Sequence, residues 1–304
     1  MDERKARRFL SLGKGRAIRQ NVPVFVISDL HIGDGSPKDN LRQNQRETLL
    51  DGFLDYVERE EGQLVIVGDL FELLRYPAEK ILEARRPLLD RLARMESLYV
   101  PGNHDEAALE LADADRPAHP FFERASAAFT QMIGDKRFKF MHGHEVDPLI
   151  TPRVQSLGRL LGAFSTYLEF RPGTCLLSND RVTEVLLETG EQILRLWHGL
   201  TTRLNKAAHE CCALMPSEQV TSMSRRIRTQ RMLARYHEDK QCGFYDVAIV
   251  GHTHKARAFS DWYFNSGSWT GRTNNFLRIS PAGEVTVFDW SRCGPQHNDT
   301  ILAT

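Results

Sequence analysis

Five short apolar runs in this sequence each end directly before a short polar motif. The runs are rich in Val, Ile, Leu and Phe, as is typical of buried strands, and they occupy residues 22–28, 63–67, 98–100, 137–141 and 246–250. The motifs that follow them begin at Asp29, Gly68, Pro101, His142 and Gly251. Helical patterns lie between the early runs, at residues 43–59 and 78–95. This alternation predicts an α/β fold in which ligands gather at the carboxyl ends of the strands.

Two other parts of the sequence have a different character. Near the end of the chain, short strand patterns at 261–264, 275–279 and 284–288 are separated by Gly, Asn and Pro. They predict an antiparallel hairpin or meander that closes a second sheet. Helical patterns without strand signals occupy residues 153–169, 180–206 and 217–237. We interpret this stretch as a helical insertion, or cap, between two strands of the core.

The predicted domain organisation follows from these patterns. It consists of a basic N-terminal tail at 1–20, a core at 21–150 and 239–292, the helical insertion at 151–238, and a C-terminal tail at 293–304. The basic tail has no apolar signal-peptide core. Its clustered Lys and Arg form either a solvated tail or a peripheral contact with an anionic membrane surface.

Composition bears on the partners and the compartment. The 304 residues include 40 basic and 40 acidic side chains, so the net charge gives no reason to expect nucleic-acid binding. The five cysteines form no CxxC pair, which argues against a disulfide framework and suits a reducing cytoplasm. No run approaches the roughly 18 apolar residues of a membrane span. We therefore expect a cytoplasmic protein, with the inner face of the membrane as a possible peripheral contact and the oligomeric state left open.

The polar motifs have the composition of a metal site. Carboxylate, imidazole and amide oxygen suit divalent ions such as Mn²⁺, Fe²⁺ or Zn²⁺, and the lack of a thiolate disfavours a structural zinc site. In both Asp-x-His and His-x-His, side chains two residues apart on an extended segment project to the same side. Seven ligands are too many for one ion but suit two ions that share a carboxylate. The candidate ligands are Asp29, His31, Asp69, Asn103, His142, His252 and His254.

In this order, these motifs resemble the calcineurin-like metallophosphoesterase superfamily. The resemblance spans about residues 22–290 without the insertion, and its five parts are Asp29-x-His31, Gly68-Asp69, Gly102-Asn103-His104-Asp105, His142 and Gly251-His252-x-His254. It implies a four-layer α/β/β/α sandwich of two mixed sheets with a helical cap insertion. It also implies one metal held by Asp29, His31, Asp69 and His254. The ligands implied for the second metal are Asp69, Asn103, His142 and His252.

The resemblance further implies the reaction. A phosphoester or pyrophosphate bond would be hydrolysed by a hydroxide that bridges two metal ions, most simply Mn²⁺, with Fe²⁺ or Zn²⁺ as alternatives. His104 would face the leaving group as general acid or as a cationic stabiliser. We expect Glu72 to orient His104, and Asp105 is the alternative partner.

Within the superfamily, three phrases and the long insertion most resemble the UDP-2,3-diacylglucosamine hydrolase group. The phrases are ISDLHIG, GDLFEL and MHG. This resemblance implies a lipid-linked nucleotide substrate, cleaved to UMP in lipid A biosynthesis. His104 departs from it, because the best-studied members of that group carry arginine there, whereas histidine is commoner across the superfamily. The alternatives are a general phosphodiesterase or phosphatase on nucleotides or other small phosphoesters, and a non-catalytic protein-binding scaffold.

The last helical pattern of the insertion is rich in arginine. Its cations either form a solvated basic face or meet phosphate or anionic lipid. The residues concerned are Arg225, Arg226, Arg228, Arg231 and Arg235.

Overall fold

The computed structural model describes residues 17–112, 117–147, 217–270 and 274–298. The chain divides into two compact units, one formed by residues 1–144 and 240–304 and the other by residues 145–239. The helices predicted at 153–169 and 180–206 lie outside the described residues, as does most of the predicted N-terminal tail.

The described strands of the first unit form two mixed sheets. These strands are β1 (Val24–Ile27), β2 (Gln63–Val67), β3 (Leu98–Val100), β4 (Phe129–Ile133), β5 (Lys136–Phe140), β6 (Val247–Val250), β7 (Arg257–Phe259), β8 (Tyr263–Asn265), β9 (Asn274–Ile279), β10 (Val285–Ser291) and β11 (Gly294–His297). The first sheet has the order β11-β10-β9-β1-β2-β3, and the second has the order β4-β5-β6-β8-β7. Strands β1, β2 and β3 are parallel, as are β5, β6 and β8, so each sheet gathers several carboxyl ends at one edge.

Two apolar layers, one on each face of the first sheet, hold this unit together. Because successive side chains of a strand point to opposite faces, a strand such as β1 contributes to both layers. On one face of the first sheet, Phe25 and Ile27 pack with Phe53 of α1 (Arg46–Arg59) and with Leu89 of α3 (Arg86–Arg94). Side chains from the opposite face form a second cluster with the second sheet, drawn from Val24, Val26, Val65, Val67, Phe138, Phe140, Val247 and Ile249. The predicted fold class, an α/β sandwich of two mixed sheets with flanking helices, is confirmed.

The helix predicted at residues 78–95 is two helices in the structure. It divides into α2 (Ala78–Ala84) and α3 at Arg85, whose φ of −108° and ψ of 15° are not helical. Pro87 lies in the first turn of α3, and a continuous helix would need its missing N–H to bond the Glu83 carbonyl, with which its ring would also clash. The buried Arg85 guanidinium at this break donates to Asp39 at 2.6 Å.

Two of the three predicted C-terminal strands lie in the first sheet, not in the second sheet as predicted. Of the three predicted strands, β8 belongs to the second sheet, but β9 pairs antiparallel with β1 and β10 with β9, so both extend the first sheet. The local pattern could not reveal this, because an apolar strand fits either sheet and β9 finds its partner about 250 residues away in sequence. The segment assigned to a C-terminal tail contains β11, which pairs with β10.

The end of the predicted N-terminal tail contacts the core. Ile18 is buried in the cluster between the sheets, and Arg19 donates to Gln63 Oε1 at 3.1 Å and to the Gly62 carbonyl at 2.7 Å. The described part of the chain before β1 is therefore anchored to the core at Ile18 and Arg19, while Ala17, Gln20 and Asn21 are exposed.

In the second unit, the helix predicted at 217–237 is observed as α4 (Ser217–Gln241). Arg228 on this helix donates to both carboxylate oxygens of the buried Asp147, at 3.1 and 2.9 Å from Nε. Arg235 pairs with Glu238 at 3.2 Å. Two of the five arginines singled out in this helix thus bind carboxylates of the same unit. None of the described helices combines the length and hydropathy needed to span a membrane.

Candidate metal centre

The seven predicted ligands follow strands β1, β2, β3, β5 and β6, and backbone hydrogen bonds hold several of their loops together. The Asp29 amide donates to the Gly68 carbonyl at 3.0 Å, and the His31 amide donates to the Asp69 carbonyl at 2.9 Å. In the second sheet, the Gly251 amide donates to the His142 carbonyl at 2.9 Å. The ends of β1 and β2 are thus joined to each other, and so are those of β5 and β6.

Five of the predicted ligands adopt left-handed backbone conformations. Their φ angles are 55° at Asp29, 48° at His31, 50° at Asp69, 71° at His252 and 54° at His254. A positive φ is uncommon for residues other than glycine, and it persists only where the surrounding structure imposes it. Such a concentration in one set of loops supports the hypothesis of a functional site.

The ligands predicted for the first metal lie together. One ligand atom from each of Asp29, His31, Asp69 and His254 falls within 4.8 Å of the other three. His254 Nε2 is 3.1 Å from Asp29 Oδ1, and His31 Nε2 is 3.3 Å from His254 Nε2 and 3.7 Å from Asp69 Oδ2. Two carboxylates and two imidazoles thus converge on one small volume.

The ligands predicted for the second metal meet the first group at Asp69. His142 Nε2 lies 3.2 Å from Asp69 Oδ2, the oxygen that also faces His31. The ring centroids of His142 and His252 are 5.2 Å apart. Asn103 follows Gly102, where an added Cβ would lie 2.2 Å from Asp69 Oδ1, so this loop runs directly against the shared carboxylate.

The polar atoms of this cluster fit divalent cations. Among the described residues, Asp29 Oδ1, Asn103 Oδ1 and His142 Nε2 are buried and have no hydrogen-bond partner. Buried polar atoms are rarely left without one. Asp29 Oδ1 lies 3.1 Å from His254 Nε2, and His142 Nε2 lies 3.2 Å from Asp69 Oδ2, yet neither pair has hydrogen-bond geometry. This is the arrangement expected where a cation belongs between the two atoms. Oxygen and imidazole donors are the set that Mn²⁺, Fe²⁺ and Zn²⁺ accept.

The electrostatics of the cluster also favour a cation. Burial alone would raise the pKa of the Asp69 carboxyl, yet His142, His104 and His31 hold it well below its usual range. Conversely, Asp69 and Asp29 outweigh the effect of burial on His142 and raise its pKa to about 10. The carboxylates therefore create a negative potential at His142 Nε2, where a divalent ion would take the place of the proton.

Two further contacts orient the imidazoles of the candidate ligands His142 and His31. His142 Nδ1 donates to the Val67 carbonyl at 2.8 Å, which directs Nε2 toward Asp69. His31 Nδ1 is 2.9 Å from Glu72 Oε2, which directs its Nε2 into the cluster. Hydrogen bonds of this kind set the tautomer of a metal-binding histidine.

His104 lies beside the cluster and contacts Glu72. Its Nδ1 is 2.9 and 3.0 Å from the two Glu72 oxygens, and its backbone amide donates to Asp69 Oδ1 at 2.9 Å. Burial lowers the pKa of His104, but Glu72 and Asp69 outweigh it and raise this pKa to about 10. The imidazole is thus held by carboxylates that favour its protonated form, and its ring centroid is 4.6 Å from that of His31.

Asp105, the alternative partner of His104, has other hydrogen bonds. Its buried carboxylate accepts from the Gly102 amide at 2.6 Å, from the Phe71 amide at 3.0 Å and from the Tyr99 hydroxyl. It therefore ties the loop after β2 to the loop after β3, whereas the described hydrogen bonds of the His104 ring go to Glu72.

Ser28, whose hydroxyl contacts Asp29, is a site residue that the sequence did not indicate. A serine beside a candidate ligand gives no signal of its own.

The sequence of this chain matches a known protein family. The model of the family described as calcineurin-like phosphoesterase matches residues 22–256, which is more than half of the chain. The match includes all five motifs at the strand ends. A search of curated proteins found no match.

Solved structures with similarity to this chain include Vps29 proteins and a phosphoesterase. A single mutant of Vps29 from Entamoeba histolytica is 14% identical, with a TM-score of 0.40, over 91% of this chain and 97% of that one. Vps29 from Cryptosporidium parvum is 15% identical, with a TM-score of 0.40, over 92% and 97%. A conserved protein from Streptococcus pneumoniae TIGR4, described as a predicted phosphoesterase, is 13% identical, with a TM-score of 0.31, over 90% and 99%.

Proposed function

Because the chain belongs to the calcineurin-like phosphoesterase family, we propose that it is a metal-dependent hydrolase that cleaves a phosphoester or pyrophosphate bond. One observation carries this proposal. The Asp69 Oδ2 atom faces His142 Nε2 at 3.2 Å and His31 Nε2 at 3.7 Å, so a single carboxylate oxygen is common to both groups of ligands. A shared carboxylate between two such groups is the arrangement expected of a dinuclear centre.

The residues divide into two overlapping sets. We propose that one divalent ion is held by Asp29, His31, Asp69 and His254, and the other by Asp69, Asn103, His142 and His252. Bound there, a pair of divalent ions would supply Lewis-acid chemistry, which makes water more acidic and neutralises charge on the phosphoryl group. The oxygen and nitrogen donors favour Mn²⁺, with Fe²⁺ and Zn²⁺ as alternatives.

His104 is the residue we propose as general acid. Glu72 binds its Nδ1, so Nε2 is the nitrogen left to give a proton to the departing oxygen. The side chain of His104 is 17% exposed, which leaves it accessible to a substrate. The Asp69 contact to the His104 amide fixes the backbone beneath the ring. Leaving-group protonation is thus assigned to a residue anchored by the shared carboxylate.

Two substrate classes are consistent with this site. The phrases around Asp29, Asp69 and His142 support UDP-2,3-diacylglucosamine or a similar lipid-linked nucleotide as the leading substrate, used at the inner face of the membrane. His104 favours the second class, nucleotides or other small phosphoesters, because the best-studied members of the UDP-2,3-diacylglucosamine hydrolase group carry arginine there, whereas histidine is commoner across the superfamily.

Hydrolysis assays separate these classes. We expect Mn²⁺-loaded protein to release UMP from UDP-2,3-diacylglucosamine, with the Asp69→Asn variant as the blank. Cleavage of bis-(p-nitrophenyl) phosphate without UMP release would reject the lipid-linked substrate and favour the general phosphodiesterase. If the protein binds its metals and cleaves neither compound or any other phosphoester, the enzyme proposal is wrong and the scaffold alternative takes its place.

A further inference from the structure

Ser28 is a buried residue at the point where β1 ends and the ligand loop begins. Its hydroxyl oxygen contacts Asp29 Oδ2 directly, and it lies 2.7 Å from Ser266 Oγ and 3.2 Å from the Gly267 carbonyl. Ser28 and Ser266 are both completely buried. Because β1 belongs to the first sheet and Ser266 follows β8 of the second, this pair of hydroxyls joins the two sheets directly behind Asp29.

The direction of these hydrogen bonds follows from the number of protons. Each serine hydroxyl has one proton to donate and can accept further bonds. The strongest acceptor near Ser28 is the Asp29 carboxylate, and a hydrogen bond to an ionised acceptor is about twice as strong as a neutral one. Ser28 therefore donates to Asp29 Oδ2. The Ser266 proton then has two acceptors, Ser28 Oγ at 2.7 Å and the Val250 carbonyl at 3.2 Å, and the shorter contact assigns it to Ser28.

The two oxygens of Asp29 thus have different surroundings. Oδ2 accepts from the Ser28 hydroxyl and from the His252 amide at 3.0 Å. Oδ1 receives no hydrogen bond from any described residue and faces His254 Nε2 at 3.1 Å. A carboxylate held by two donors on one oxygen cannot rotate without losing both, so its other oxygen stays directed at the imidazole.

We propose that Ser28, supported by Ser266, is a positioning residue that holds Asp29 so that Oδ1 faces the metal. This inference rests on the proposed function, in which Asp29 binds one of the two ions. The surrounding backbone leaves little freedom, because a Cβ added to Gly251 would lie 2.5 Å from Ser28 Oγ and 2.7 Å from Asp29 Oδ2. Loss of the Ser28 hydroxyl would leave Oδ2 with the His252 amide as its described donor.

The test is a titration of the metal-free 304-residue chain with Co²⁺, in which binding is measured by calorimetry and by the visible absorption of the bound ion. We expect Ser28→Ala to weaken the binding of one of two Co²⁺ ions about 10–100-fold, the usual effect of removing a hydrogen bond to a metal ligand. The absorption of that ion should also change, while the other ion binds as in the parent protein.

Ser97→Ala is the matched control. Ser97 is equally buried, and its hydroxyl forms no hydrogen bond with any described residue. It lies directly before β3, at the opposite end of the strand from Asn103. This variant removes the same atom from a similar environment, so both Co²⁺ affinities and both spectra should match those of the parent.

Each outcome of the titration decides something. If Ser28→Ala binds both ions with the parent's affinities and spectra, the positioning role is wrong while the proposed function stands. A parent protein that binds no Co²⁺ overturns both proposals. If Ser28→Ala does not fold by circular dichroism, Ser266→Ala decides instead: weaker binding of one ion supports the role, and unchanged binding rejects it.

Discussion

Replacing Asp69 with Asn is expected to abolish hydrolysis and to reduce metal binding at both positions. Asparagine keeps the shape of the side chain and an oxygen that can accept from the His104 amide, so the loop should stay in place. It removes the negative charge that faces His142 and His31. The loss of several kcal/mol of charge stabilisation in the transition state corresponds to a fall in turnover of about 10³-fold or more.

The measurement for Asp69→Asn combines steady-state kinetics with metal content per chain. Asp135→Asn is the control, because it makes the same chemical change outside the proposed ligand sets. Asp135 is an exposed residue in the turn between β4 and β5. We expect that control to keep full activity and two metals. An Asp69→Asn variant that retains both metals and normal turnover would contradict the shared-ligand assignment.

Replacing His104 with Ala is expected to lower turnover about 10²–10⁴-fold, the usual contribution of a general acid. Both metals should remain bound, since the His104 ring contacts Glu72 and lies beside, rather than within, the proposed ligand sets. The fall in turnover should be largest for esters with poor leaving groups. It should be much smaller for p-nitrophenyl esters, whose leaving group departs readily without a proton.

His119→Ala is the control for this variant. His119 Nε2 also binds a carboxylate, Asp90 at 3.0 Å, and neither residue belongs to the proposed ligand sets. Normal kinetics are expected for it. If His104→Ala loses metal, or if its defect is equal for good and poor leaving groups, His104 is not the general acid.

Glu72 extends the second prediction to pH dependence. A general acid is active while it is protonated, so activity falls as the pH rises through its pKa. Glu72 is the carboxylate that raises the pKa of His104 most. Replacing Glu72 with Gln should therefore lower that pKa and move the alkaline limb of the pH–rate profile to lower pH. An alkaline limb that stays in place would mean that Glu72 does not control the protonation of His104.

The sequence predicted the fold class and the convergence of four candidate ligands, Asp29, His31, Asp69 and His254, for a physical reason. Continuous apolar runs such as those of β1, β2 and β6 are typical of strands buried on both faces, and parallel strands bring their carboxyl ends to one edge. The sequence therefore indicates that residues as distant as Asp29 and His254 lie together, as they do in the structure. The match of the calcineurin-like phosphoesterase model to residues 22–256 confirms the family, while the assignment of individual ligands stays a prediction.

Other features depend on long-range geometry that a local pattern does not carry. The pairing of β9 with β1 joins segments about 250 residues apart, and the pattern of β9 suits either sheet. The contact between Ser28 and Ser266 likewise spans the two sheets, and serine is too common in loops to signal a role. The choice of Glu72 over Asp105 as the partner of His104 needed the distances themselves.

The central claim, that this chain hydrolyses phosphoesters with two metal ions, is tested most directly by a stoichiometric titration. Metal-free protein receives increasing Mn²⁺, and bound metal per chain and hydrolysis of bis-(p-nitrophenyl) phosphate are measured on the same samples. We predict that activity is absent without metal and reaches its maximum when two ions are bound per chain. Maximal activity without bound metal, or no hydrolysis with both positions filled, would contradict the claim.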